Sequence, residues 1–327
     1  MRARQRGAAL LVAMLVVTLV ATFAAAALWQ QWRAVEVEAA ERSRMQAGWI
    51  LTGALDWARL IIREDSRASG TSDHLAEPWA VPLQEARLST FLAADQAGTD
   101  TSGVQDDVFL SGFITDQQAL LNLANLVGSG SQLESGLRTF RRLFGLLGLP
   151  ASQVDTLAEN LRFANDISTD NQSASQAPIA PQHIEDAVWL GIPQSTVTAL
   201  LPYVTLLPSP ANGRTTINLN TASAEVIFAA VDGMTLADAQ QLVARRAQAP
   251  FRTLGEATQL FPQYAGAISA SANVITQFFE VRARLRMDRL VVEERSLLRR
   301  DGMTVTTVWR QRGVIDPAAI AQAGASR

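Results

Sequence analysis

Two histidines, His74 and His183, and no cysteine are the whole stock of soft or switchable ligands in this chain. Thiolate nucleophiles, thiolate metal sites and disulfides are therefore excluded, and a histidine-based metal centre or triad lacks material. No glycine-rich phosphate loop and no serine elbow is present. The remaining candidates are cationic. Arg282, Arg284 and Arg286 alternate with apolar residues and could face an acidic partner. More often such a row is the wet face of a strand, which also discourages edge pairing. Gly233-Met234-Thr235 sits between two helical segments, where a hairpin could offer backbone N–H groups to phosphate. The second glycine of a Gly-x-Gly turn is absent. From Thr215 to Pro262, Arg245, Arg246 and Arg252 stand against Glu225, Asp232, Asp238 and Glu256, a net charge of −1. Every basic residue is arginine and the whole chain carries −3, which does not suggest a dedicated nucleic-acid binder.

The elements that must hold these residues begin with a membrane segment. Arg2, Arg4 and Arg6 precede Gly7, and Ala8 to Leu28 run for 21 residues without a charge. As a helix they cover about 31 Å, enough for a bilayer core. The arginines predict a cytoplasmic N-terminus and an outward C-terminal domain. The run is longer than the apolar stretch of a secretory signal peptide. A plain signal anchor is the other alternative. No proline interrupts Gln30 to Arg63, and Ile50, Leu51, Ala54, Leu55, Ala58, Ile61 and Ile62 make one apolar stripe. Residues 8–63 therefore read as one helix of about 84 Å.

Beyond it, residues 66–107 read as irregular connection and Val108–Thr115 as a strand, with Gly112 at a bulge. From Asp116 to about Asn273 the pattern is helical. Segments 117–126, 140–149, 153–163, 183–191, 195–204, 222–231, 236–246 and 254–260 are separated by Gly, Pro or polar turns. Val281–Asp288 then alternates strictly, and Leu290–Leu298 and Thr304–Arg310 follow around an Asp301-Gly302 hairpin signal. The expected fold class is α+β. A long N-terminal helix and a small antiparallel sheet of three or four strands carry a large all-α domain inserted between strands. Apolar residues make up 48% of the chain, ample for such a core after the membrane segment is set aside.

Gly7 at the edge of the apolar run resembles the leader of type IV pilin-like proteins. That resemblance implies cleavage by a prepilin peptidase between Gly7 and Ala8, and methylation of Ala8. Mature position five, where such proteins usually carry glutamate, is Val12. Asn218-Leu219-Asn220-Thr221-Ala222, Asp232-Gly233, Ala239–Arg246 and Pro250-Phe251 resemble the second helical subdomain of the general secretion pathway protein K family, the minor pseudopilin K of type II secretion. Asp116-Gln117-Gln118 and Asn122–Leu126 resemble the stretch before that family's inserted domain, while Ala119 and Leu120 depart from it. The lack of glutamate at Val12 is itself a family feature.

The resemblance implies a leader at 1–7, a transmembrane segment at 8–28, and the rest of the first helix with the start of a pilin-like domain at 29–115. It further implies a helical insert at 116–275 in two subdomains, about 116–205 and 206–275, of SAM-like or helix–hairpin–helix-like type. Strands at 276–314 and a flexible tail at 315–327 complete the layout. The implied role is a non-enzymatic subunit at the tip of the secretion pseudopilus, in the bacterial inner membrane, priming assembly and export of folded periplasmic proteins. Implied partners are the type I and J minor pseudopilins, the major pseudopilin, prepilin peptidase, membrane lipid, and the secretin or secreted substrate, with no nucleic acid. The family is similar to proteins that bind calcium in the helical domain. Asp166, Asp170, Asn171, Glu185 and Asp186 are the oxygen ligands this sequence offers there. The same region resembles helix–hairpin–helix modules of membrane-anchored DNA-uptake receptors, and a type IV pilus minor pilin is a closer alternative.

Overall fold

Helix α1, Arg6–Ala68, is 63 residues long, about 95 Å of continuous helix. It appears in a computed structural model that describes residues 6–68, 71–89, 108–166, 176–208, 213–287 and 290–314. Ala47, Leu51, Leu55, Ala58 and Ile62 of α1 are buried at three- and four-residue spacing, so one stripe of its C-terminal half packs. Gly48 sits beneath Arg312, whose guanidinium would lie 2.9 Å from any added Cβ. The glycine is therefore room for a cross-element contact rather than a weak point.

That stripe lies on a five-stranded sheet in the order β1-β2-β7-β8-β9, with every pair antiparallel. The strands are β1 (Leu83–Arg87), β2 (Val108–Asp116), β7 (Phe278–Met287), β8 (Leu290–Asp301) and β9 (Thr304–Val314). The inward residues of β7 are Phe279, Val281, Ala283, Leu285 and Met287, which meet α1 through two apolar clusters. The period-two pattern thus sets the face as read from the sequence. On the opposite face, Phe278, Leu297 and Leu207 pack together with Trp309 against them.

Three features differ from the sequence reading. Strand β1 lies inside the stretch taken as irregular connection. The β2–β7 register runs unbroken through Gly112, and the irregularity falls instead between Leu83 and Ala86 of β1. Gly112 is required by close approach, since an added Cβ would lie 2.6 Å from the carbonyl oxygen of Arg282. Third, β7 is an inner strand, so its arginine row guards no edge. Arg282 pairs with Glu280, Arg284 with Glu293 and Arg286 with Glu85.

Between β2 and β7 the chain leaves the sheet for a helical block. It contains β3 (Leu121–Asn122), α2 (Gly130–Leu146), α3 (Ser152–Ala164), α4 (Gln194–Leu200), β4 (Val204–Thr205) and β5 (Ile217–Asn218). Helices α5 (Ala224–Ala230), α6 (Leu236–Gln248), α7 (Leu254–Leu260) and α8 (Ala265–Ser271) follow, then β6 (Ala272–Asn273). Two-residue parallel pairs, β3 with β4 and β5 with β6, stitch the block. One apolar core runs through it from Leu121 to Val274, with Phe140, Phe144, Leu157 and Leu190 among its fully buried members. Residues 117–126 are two short 3-10 turns around β3 instead of a helix, because Asp116 and Asn122 accept from the N–H groups two residues on. The segment 183–191 is likewise a 3-10 helix, Ile184–Leu190.

Candidate functional site

Two places in this fold carry what the sequence singled out: the free half of α1 and the junction between sheet and helical block. From Ala8 to Arg42 every residue of α1 is exposed, and Leu11 is 69% exposed. No part of the described chain covers this apolar surface, which is long enough to cross a membrane. Trp29 and Trp32 end the run, with the Arg33 guanidinium 5.7 Å from the Trp29 ring, the amphipathic composition of a bilayer interface. The helix starts at Arg6, so Gly7 and Ala8 lie in its first turn, and Val12 is exposed one turn on.

At the junction, β2 ends in Asp116, which is 5% exposed. Its Oδ1 accepts from Gln118 N (2.7 Å) and Thr276 Oγ1 (2.5 Å), and its Oδ2 from Asn218 Nδ2 (2.9 Å) and Thr221 Oγ1 (2.6 Å). One carboxylate therefore ties the sheet to both ends of the block's second half. Burial pushes the Asp116 carboxyl above the ordinary carboxylate value, against the pull of Thr221, Thr276, Asn218 and Gln118 in that order. A raised folded-state value means the folded chain holds this proton more tightly than the unfolded chain. The associated stability is present below the unfolded value of 3.8 and is lost as pH rises through the folded one. The stability of Asp116→Asn relative to wild type is accordingly expected to rise as pH increases above about 4 in urea unfolding. Beside it, Arg300 Nη2 donates to Asp73 Oδ1 (2.6 Å), Asp73 Oδ2 (2.5 Å) and the Thr276 carbonyl (2.8 Å). Arg300 Nη1 stands 3.5 Å from Asp65 of α1, which brings the long helix into the same network.

The asparagines of the sequence motifs are clamps. Asn220 Nδ2 donates to the Phe251 carbonyl and its Oδ1 accepts from Phe251 N, both at 2.9 Å. The distant Pro250-Phe251 is thereby fixed against Asn218–Ala222, as one strand would hold another. Asn125 grips Thr215 in the same two-way manner, and Asn122 grips Leu207. The hairpin at Gly233-Met234-Thr235 is anchored by its middle residue, while Gly233 and Thr235 are exposed. Met234 is buried, and Arg142 of α2 donates to the carbonyls of Phe228 and Met234 at 2.6 Å each. Of the cations in that module, Arg246 is turned to the Leu219 carbonyl and lowered to about 10 by burial. Met234 and Arg142 thus join the hairpin to α2.

The proposed oxygen ligands are not gathered among the described residues. Asp166 follows α3, and Asp170 and Asn171 lie outside the described residues. Glu185 accepts from Arg295 Nη1 at 3.1 Å, and Asp186 Oδ2 accepts from His183 N (3.0 Å) and Gln182 N (3.1 Å) at a helix start. Both described carboxylates of the second pair thus have protein partners. His183 meets Trp309 edge-on, with ring centroids 4.6 Å apart. His74 Nε2 lies 3.7 Å from Glu77 Oε1. The junction acids Asp65, Asp73 and Glu77 went unremarked in the sequence, where nothing in their spacing joins them.

Comparison with known proteins agrees with this architecture. Residues 119–209 and 217–275 match two family models, both described as type II secretion system (T2SS), protein K. The chain is 28% identical to the type II secretion system protein K of Pectobacterium carotovorum, over 96% of this chain and 98% of that one. It is 27% identical to the protein of that name from Pseudomonas aeruginosa, over 86% and 84% respectively. Its fold is that of a chain in the GspK-GspI-GspJ complex from enterotoxigenic Escherichia coli, with a TM-score of 0.61 at 17% identity, covering 84% of this chain and 98% of that one. With the pilin-like helix and sheet, the inserted helical block and the clamped asparagine motifs in place, the chain matches the type II secretion system protein K family through both halves of its helical block and along nearly the full length of its relatives.

Proposed function

We propose that this protein is a minor pseudopilin that caps the tip of a type II secretion pseudopilus, primes its assembly, and helps export folded periplasmic proteins. What carries the assignment is α1: half of it is an apolar cylinder that the described chain leaves bare, and half is the spine of a folded head. A bare apolar helix of this length needs lipid or other helices around it. Leader removal after Gly7 and methylation of Ala8 would let the helix slide among neighbouring subunits, with the head in the periplasm and the anchor in the inner membrane. A glutamate at mature position five would cost about 2.5–3.5 kcal/mol in lipid without a cationic partner. Val12 avoids that cost, so the subunit has no need of an already inserted neighbour below it, which suits a first or topmost position. The block from 117 to 277 projects from one end of the sheet and is too broad for the interior of a thin filament.

The relative of known structure is a member of a complex with GspI and GspJ. By analogy, the partners here are the type I and J minor pseudopilins of the same system. Co-expression of the three full chains and purification in detergent through a tag on this one is expected to recover all three in one peak. Recovery of the tagged chain alone, with the other two folded in the flow-through, would count against the tip assignment.

A further inference from the structure

Three carboxylates, two of them sharing one guanidinium, lie where α1 meets the junction. Asp65, Asp73 and Glu77 are all buried, and each offers an oxygen within 4.8 Å of the others. Arg300 is the guanidinium among them, bonded to Asp73 and 3.5 Å from Asp65. Three acids against one guanidinium, with His74 Nε2 3.7 Å from Glu77, leave negative charge gathered in a largely buried place, and Asp73 is pushed upward mainly by its burial. Such a group of charges is relieved by a proton or by a cation. Glu77 points to the cation. Its Oε2 accepts from Trp79 Nε1 (2.7 Å) and His74 N (2.9 Å). Its Oε1 is buried and has no hydrogen-bond partner among the described residues, with His74 Nε2 3.7 Å away, which leaves that oxygen bare for a metal ion.

We infer that Asp65, Asp73 and Glu77 form a site for a hard divalent cation such as Ca2+, pinning the head end of α1 to the sheet and to the loop before β1. Three carboxylate oxygens gathered within reach of one another are the ligand type that such a cation takes. The remaining ligands come from a polar cavity of about 160 Å³ that adjoins Asp73 and is lined by Ser66, Ser72, Thr276 and Gln277. It has room for several waters at about 30 Å³ each and gives the ion a way in. The place is distinct from the 166–186 region, and the inference does not rest on the proposed tip role.

The test uses the full chain in detergent micelles, stripped with EDTA. Tb3+ is titrated with excitation of tryptophan, and Ca2+ is then added as competitor. Trp79 touches a ligand of the site, so sensitised emission is expected, with displacement by Ca2+ at about 0.1–1 mM or tighter. Glu77→Gln and Asp65→Asn are each expected to weaken Ca2+ at least about tenfold by calorimetry. Trp79→Phe should lose most of the sensitised emission. No Ca2+ binding by the wild-type chain up to about 10 mM would overturn the inference without any variant, and would assign the excess charge to protonation. Binding that survives Glu77→Gln and Asp65→Asn but disappears in Asp166→Ala would overturn it too, by placing the ion in the 166–186 region.

Discussion

A bulky residue in place of Gly7, such as Gly7→Leu, is expected to leave residues 1–7 on the protein and to stop secretion of the cargo completely in a strain whose own copy is deleted. The reason is steric and then electrostatic. A peptidase must bring its catalytic groups onto the backbone on the C-terminal side of residue 7, and glycine alone presents no Cβ there. If the leader stays, Arg2, Arg4 and Arg6 remain on the cytoplasmic end of α1. Those cations hold the helix at the membrane surface, and moving them through hydrocarbon costs about 2.5–3.5 kcal/mol each. The subunit then cannot rise with a growing filament. Immunoblots of membranes for the slower-migrating form, together with cargo activity in the medium, read both halves of the prediction. Normal secretion by an unprocessed protein would contradict it.

The second large effect is expected at Asp116. Asp116→Ala leaves Thr276, Asn218, Thr221 and the Gln118 N–H without their common acceptor in a buried place. Orphaned buried donors cost about 1–3 kcal/mol each, and partial relaxation makes a total of about 3–5 kcal/mol reasonable. The loss falls on the seam between sheet and helical block, so the block should become protease-sensitive at that seam before the sheet unfolds. Urea unfolding followed by tryptophan fluorescence measures it, since Trp79 is buried against Phe279 whereas Trp29, Trp32 and Trp49 are already exposed. A change within about 0.5 kcal/mol would mean that the four bonds are replaced by water and that the seam does not depend on this carboxylate.

Much of this architecture could be read from residue order, and the exceptions have physical causes. The apolar run, the α1 stripe and the alternation of β7 were legible because each repeats a single period along one element. The five-residue β1 was not, because Leu-Gln-Glu-Ala-Arg buries little and joins the sheet only through its pairing with β2. Segment 117–126 looked helical because its leucines fit a helix, yet Asp116 and Asn122 offer their side chains to nearby N–H groups and break it into turns. The candidate site was the least legible part. Asp65, Asp73, Glu77, Asp116 and Arg300 come from four separate stretches of chain, and proximity of that kind leaves no spacing to find. One signal was available. Glu294, Ser296 and Arg300 occupy the inward parity of β8 with Val292 and Leu298, and a charge on a core-facing position announces a buried partner. The asparagine clamps were visible as a motif, and their action on Phe251, Thr215 and Leu207 emerged only in three dimensions.

The central claim is that α1 is a pseudopilin helix rather than an ordinary anchor. Mass spectrometry of the N-terminal peptide, from protein extracted from membranes of cells that carry prepilin peptidase, tests it most directly. The expected N-terminus is Ala8 bearing one methyl group, and Met1 is expected to be retained when the peptidase is deleted. An N-terminus at Met1 in both strains, or a cut after the alanines at Ala24–Ala27, would contradict the claim and return α1 to the status of a plain anchor or a secretory signal.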